Sequence, residues 1–211
     1  MFFKDRKDAG EELSKKLLKY KDQKNTLIIA LPRGGVVVGE RIAELLNLPL
    51  DIVAPRKIGA PDNKELAIGA ICDDVFVLKN ELILELAVDD DYIKKTIEEE
   101  KKESQRRMQV YRAGRPPLAL KDKIIIIVDD GIATGATMEA SLKYVQKQKP
   151  KKIILAVPVA PKNSIEYFQK MADEVICLYI PYDFMAIGQF YENFLQTSDN
   201  EVLSLMKKAA H

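Results

Sequence analysis

The chemistry of this chain is concentrated where Asp129 and Asp130 stand side by side, in a segment reading IIIIVDDGIATGAT over residues 124–137. Two adjacent carboxylates suit the hydroxyls of a ribose. Just beyond them Gly131, Ala133, Gly135 and Ala136 keep the loop free of bulk while Thr134 and Thr137 supply hydroxyls, so backbone amides can approach a phosphate closely. Histidine triads and histidine metal sites are excluded as catalytic plans, because the only histidine is the last residue, His211, which reads as a solvated tail. A triphosphate P-loop is not expected either, since G-x-x-x-x-G-K-[ST] does not occur. Cys72 and Cys177 are too few and too far apart for a disulfide framework or a zinc site and read as packed thiols.

These residues need elements to hold them. Four isoleucines and Val128 suit a strand buried on both faces, and Met138, Leu142 and Val145 recur at helical spacing after the loop. The loop is thereby placed at the positive end of a helix. Upstream, Ala9, Leu13 and Leu17 predict an amphipathic helix over 8–18, and a strand follows at 26–31. The turn Pro32-Arg33-Gly34-Gly35 opens a helix through residue 46, with Val38, Ile42 and Leu45 on one face and Asn47 near its end. Strands are expected at 50–54, 66–71 and 75–78, with a polar connection over 55–63. A long charged helix over 89–112 carries Ile93 and Ile97 early and Met108 and Tyr111 late. After the signature helix, which runs to about residue 148, come a strand at 153–159, a helix at 164–171, a strand at 175–180, and a tail opened by Pro181. The alternation predicts an α/β fold, a mainly parallel twisted sheet flanked by helices, in a single domain over 1–211.

The segment over 124–137 resembles the PRPP-binding signature of type I phosphoribosyltransferases: apolar residues, two acids, small residues, then Thr-Gly-x-Thr. The wider pattern, including RKIGAPDNKELAIGAI and FMAIGQFYENF, is similar to bacterial and archaeal members whose substrate is unsettled. The resemblance implies a Rossmann-like core with a small hood and flap. It also implies that Asp129 and Asp130 bind the 2′ and 3′ hydroxyls of the ribose, that the loop from Ala133 through Thr134, Gly135 and Ala136 to Thr137 holds the 5′-phosphate, and that Gly131 belongs to the PRPP-binding set. A second anion cradle is then needed for pyrophosphate. Arg33-Gly34-Gly35 follows a strand and opens a helix, so its amides and guanidinium can converge on those oxygens. Relatives often hold a cis peptide just before the glycine pair, which is the expectation for the Pro32-Arg33 bond. Arg56-Lys57-Ile58-Gly59 is similar to a run in adenine-type members whose lysine approaches pyrophosphate, so Lys57 joins Arg33, Asp129 and Asp130 as a catalytic candidate. Mg2+ is implied as the cofactor, bound mainly through PRPP and pyrophosphate. No dedicated protein metal ligand is assigned.

Residues 80–117 are expected to form a helical or mobile flap, as the family places one there, and of its arginines 106, 107, 112 and 115 the candidates are Arg112 and Arg115. The tail over 181–211 is expected to be a hood, with Phe184 or Tyr191 stacking on an acceptor ring, although a hydrophobic lid or a homodimer contact explains its aromatics as well. Hypoxanthine-guanine enzymes commonly carry an Asp directly before Thr-Gly, and here Ala133 stands in that place. The acceptor, a nitrogenous base or amine, stays open. So does a non-catalytic regulator that senses PRPP or a nucleotide, because fold and ligand do not establish catalysis.

Composition narrows the partners. Lys and Arg number 33 against 32 Asp and Glu, which gives no reason to expect nucleic acid or anionic lipid. Met1-Phe2-Phe3 is followed at once by Lys4, Asp5 and Arg6, and no membrane-length apolar stretch occurs, so neither a signal peptide nor a membrane span is expected. A reducing cytoplasm is the expected compartment. With 211 residues, 47% of them hydrophobic, the chain can bury a sizeable core.

Overall fold

A computed structural model describes residues 2–209; Met1, Ala210 and His211, and with His211 the expectation of a solvated tail, lie outside the described residues. Helix α1 (Arg6–Lys16) starts at Asp5, whose carboxylate accepts from the amides of Lys7 and Asp8, and it buries Ala9 and Leu13. Strand β1 (Thr26–Ala30) leads into α2 (Gly34–Leu46), which ends on Asn47 in the left-handed conformation. Then come β2 (Leu50–Ile52), β3 (Arg56–Gly59), β4 (Ala67–Cys72), β5 (Val75–Leu78), α3 (Asn80–Glu85) and α4 (Asp90–Arg112). The second half holds β6 (Ile124–Val128), α5 (Ala136–Lys147), β7 (Lys152–Val159), α6 (Lys162–Phe168), β8 (Glu174–Tyr179), a short 3-10 turn (Ile187–Phe190) and α7 (Asp199–Lys208).

Five strands pair in the order β2-β1-β6-β7-β8, all parallel. Alternate residues of β1 and β6 feed two cores: Ile28, Ala30, Ile126 and Val128 face the layer of α1, α2 and α7, while Leu27, Ile29, Ile125 and Ile127 face that of α5 and α6. Burial on both faces is why the strand is a continuous apolar run rather than an alternating one. The strand order reverses between β1 and β6, whose register pairs Ala30 with Val128. In a doubly wound sheet that is where the loops leaving two strands part to opposite sides and open a crevice.

A separate antiparallel sheet, β3-β4-β5, stands beside this layer, with α3 and α4 packed over Ile58, Ile68 and Ile71. The polar connection expected over 55–63 contains β3, whose residues pair with β4. Helix α3 falls at the start of the 80–117 span, whereas the expected tail included no helix like α7, which is capped by Ser198 and buries Val202 and Met206 in the α1-α2 layer. The tail is therefore two things: an aromatic segment up to Phe194, bridged to Phe3 through Tyr191, and a docked helix. Among the described residues no helix is long and apolar enough to cross a membrane.

Candidate active site

The loops after β1 and β6 leave the sheet side by side. The amide of Leu31 donates to the carbonyl of Val128 at 3.0 Å, just before one chain turns into Arg33-Gly34-Gly35 and the other into Asp129-Asp130. A Cβ at Gly34 would lie 1.9 Å from Oδ2 of Asp130, and one at Gly35 would lie 2.8 Å from Oδ1 of Asp129. Both positions require glycine because carboxylates occupy the space of a side chain. The Pro32-Arg33 peptide is cis, as the resemblance implied.

Each carboxylate has one oxygen engaged. Oδ1 of Asp129 accepts from the amide of Asp130 at 2.8 Å, and Oδ2 of Asp130 accepts from Nε of Arg6 at 2.7 Å. Asp129 keeps part of its surface open, yet its carboxyl is crowded by protein. Burial first, then the adjoining Asp130 carboxylate, pushes its pKa well above the usual carboxylate range, against the pull of the Asp130 amide and the Arg6 guanidinium. The hydroxyl of Tyr191 donates to the Asp130 carbonyl at 2.7 Å.

Beyond the acids, Ala133 and Thr134 are exposed, Gly135 and Thr137 half-buried, and Gly131 and Ala136 buried. Gly135 takes a φ of +78°, which lets the chain turn straight into α5. Helices α2 and α5 begin without a side-chain cap, whereas α1, α4 and α7 are capped by Asp5, Asp89 and Ser198. The amides at the starts of α2 and α5 therefore meet no capping side chain.

A polar cleft of about 700 Å³ is lined by Arg33, Arg56, Lys57, Arg107 and Thr137 together with Glu99 and Glu100. Lys57 is exposed on β3. Arg56 pairs with Glu100 at 2.7 Å, and Arg107 with Glu103 at 2.7 Å. Nη1 of Arg33 lies 3.5 Å from Oδ1 of Asp199, an oxygen that also accepts from the hydroxyl of Tyr111 at 2.8 Å.

The structure thus gathers Arg33, Gly34, Gly35, Asp129 and Asp130 directly, with Lys57 and Thr137 across the cleft from Arg33. The two flap candidates are engaged away from the cleft. Arg112 donates from Nε to Asp51 at 2.9 Å and from Nη2 to the Ile52 carbonyl at 3.0 Å, and Arg115 donates to the carbonyls of Met206 and Arg112. The reason is the end of α4: Ala113, in the left-handed conformation, turns the chain over β2, where a buried Asp51 demands a cation. Of the four arginines, Arg107 is the one lining the cleft. Tyr191 is likewise not free to stack on a ligand, since it is buried between Phe3 and Phe194, and Phe184 is stacked on Phe190. Arg6, Arg107 and Asp199 are site neighbours the sequence did not single out. Arg107 alone had a signal, its place in the basic cluster.

Comparison with known proteins supplies an independent line. The family model described as "Phosphoribosyl transferase domain" matches residues 3–194. Two Mycobacterium tuberculosis proteins, MT0597 and Rv0571c, provisionally named phosphoribosyl transferases, are each 41% identical over 98% of this chain. The match spans 47% of each relative, so the chain covers about half their length. A crystal structure of TT1426 from Thermus thermophilus is 36% identical, covers 100% of both chains and superposes with a TM-score of 0.82. AQ2163 from Aquifex aeolicus, 15% identical with a TM-score of 0.53 over 83% of this chain and 74% of its own, shares the fold.

Proposed function

Since the chain belongs to the phosphoribosyl transferase domain family, we propose that it transfers the 5-phosphoribosyl group between PRPP and a nitrogenous base or amine, with pyrophosphate as the other product. The observation that carries this reading is the contact of the two loops, with the Asp129 and Asp130 carboxylates against Gly34 and Gly35. One ligand can then meet both. The free oxygens of the acid pair would accept the 2′ and 3′ hydroxyls, the loop 133–137 and the start of α5 the 5′-phosphate, and Arg33 with the start of α2 the pyrophosphate.

In the forward direction the bond from C1 to the pyrophosphate oxygen breaks and its electron pair leaves on that oxygen. Positive charge builds on the ribose ring and negative charge on the leaving group. Arg33 and Lys57 offset the latter, with Arg56 and Arg107 as further cations along the cleft. The acceptor nitrogen then donates its lone pair to C1 and releases its proton to solvent. Among the described residues no three His, Cys, Asp or Glu side chains gather as a metal cage. The donor set at the site, Asp129 and Asp130, fits a Mg2+ that takes most ligands from PRPP oxygens and water. When bound, the ion adds to the charge that stabilises pyrophosphate.

The test is a pyrophosphate-release assay with Mg2+ and PRPP over purines, pyrimidines and other amines. Release dependent on one acceptor is the expected result. Tight PRPP binding with no release for any acceptor would overturn the transferase reading in favour of a PRPP sensor.

A further inference from the structure

Arg6 opens α1, 124 residues before Asp130, yet its guanidinium lies within the acid pair's surroundings. Nε donates to Oδ2 of Asp130 at 2.7 Å, Nη1 donates to the Leu195 carbonyl at 2.8 Å, and the guanidinium carbon sits 3.8 Å from the centre of the Phe194 ring. These three partners hold the side chain, which is only 11% exposed. Its neighbours leave no slack, because a Cβ on Gly34 would come within 2.6 Å of Nε. Asp130 is held at the other end as well, through its carbonyl and Tyr191. A surface ion pair worth little would show none of this convergence.

We propose that Arg6 is a positioning residue for ribose recognition: it takes Oδ2 of Asp130 and holds the carboxylate in one orientation, so that Oδ1 is presented to a ribose hydroxyl. The inference rests on the reading of Asp129 and Asp130 as the ribose site. Arg6 itself does not touch the substrate. Phe194 and the Leu195 carbonyl, from the segment between the 3-10 turn and α7, hold Arg6 in turn. Ribose recognition thereby depends on both ends of the chain.

The experiment is calorimetry with Mg2+ and PRPP, and separately with Mg2+ and pyrophosphate, on the wild type, Arg6→Gln, Arg6→Lys, Asp130→Asn and the double variant Arg6→Gln with Asp130→Asn. Arg6→Gln is expected to weaken PRPP on the order of tenfold and to leave pyrophosphate affinity unchanged. Arg6→Lys, which keeps charge without the fork, is expected to fall between, and it carries the same comparison should Arg6→Gln fail to fold. On the Asp130→Asn background the Arg6 substitution is expected to add nothing. Equal PRPP affinity in Arg6→Gln, an additive loss in the double variant, or an equal loss for pyrophosphate would overturn the proposal, the last by making Arg6 a diphosphate ligand. A wild type that binds pyrophosphate but not PRPP would instead refute the ribose site itself.

Discussion

Gly34 shows how closely single residues determine this site, because its missing side chain is the space that Asp130 and Arg6 occupy. Gly34→Ala is expected to cost about 1–3 kcal/mol of stability in denaturant unfolding through overpacking and to lower PRPP affinity at least on the order of tenfold as the acid pair is displaced. Unchanged affinity in calorimetry would mean that the two loops do not form one site. At this scale the sequence was legible wherever the chemistry is contiguous: the acid pair, the small residues after it and the Arg-Gly-Gly turn are all local strings. Arg6 was not legible. Its partners lie at 130, 194 and 195, and only the fold brings them together. The ring of Tyr191 is what stands out in the sequence, whereas its hydroxyl is what meets the Asp130 carbonyl.

At the scale of elements, α4 explains why the arginines sorted as they did. Its 23 residues carry Arg107 on the face toward the cleft, while its end delivers Arg112 to the buried Asp51 of β2. Arg112→Ala is expected to destabilise the protein by about 3–5 kcal/mol, because it leaves a buried carboxylate unpaired, with PRPP affinity unchanged. A large loss of affinity in a variant that stays folded would return Arg112 to the site. The central strands were readable because burial on both faces writes a continuous apolar run. Strand β3 was not, since Arg56, Lys57 and Gly59 carry no such pattern and the strand is defined by its pairing with β4. Helix α7 hides for a related reason: its apolar residues follow aromatics that suggested a lid, and its docking against α2 and α4 is a tertiary fact.

Over the whole molecule, the parallel order β2-β1-β6-β7-β8 puts the switch point between β1 and β6, so the two candidate anion loops diverge from adjacent strand ends. The small antiparallel sheet and α4 then close the other side of the cleft and bring Arg56, Lys57 and Arg107 to it. Binding of PRPP by the acid pair is measured directly by titration calorimetry with Mg2+ and PRPP on the wild type and on Asp129→Asn with Asp130→Asn. Binding by the wild type with a loss on the order of hundredfold in the double variant is the expected result, from the loss of two hydrogen-bond acceptors for the ribose. No binding by the wild type, or equal affinity in the variant, would contradict it.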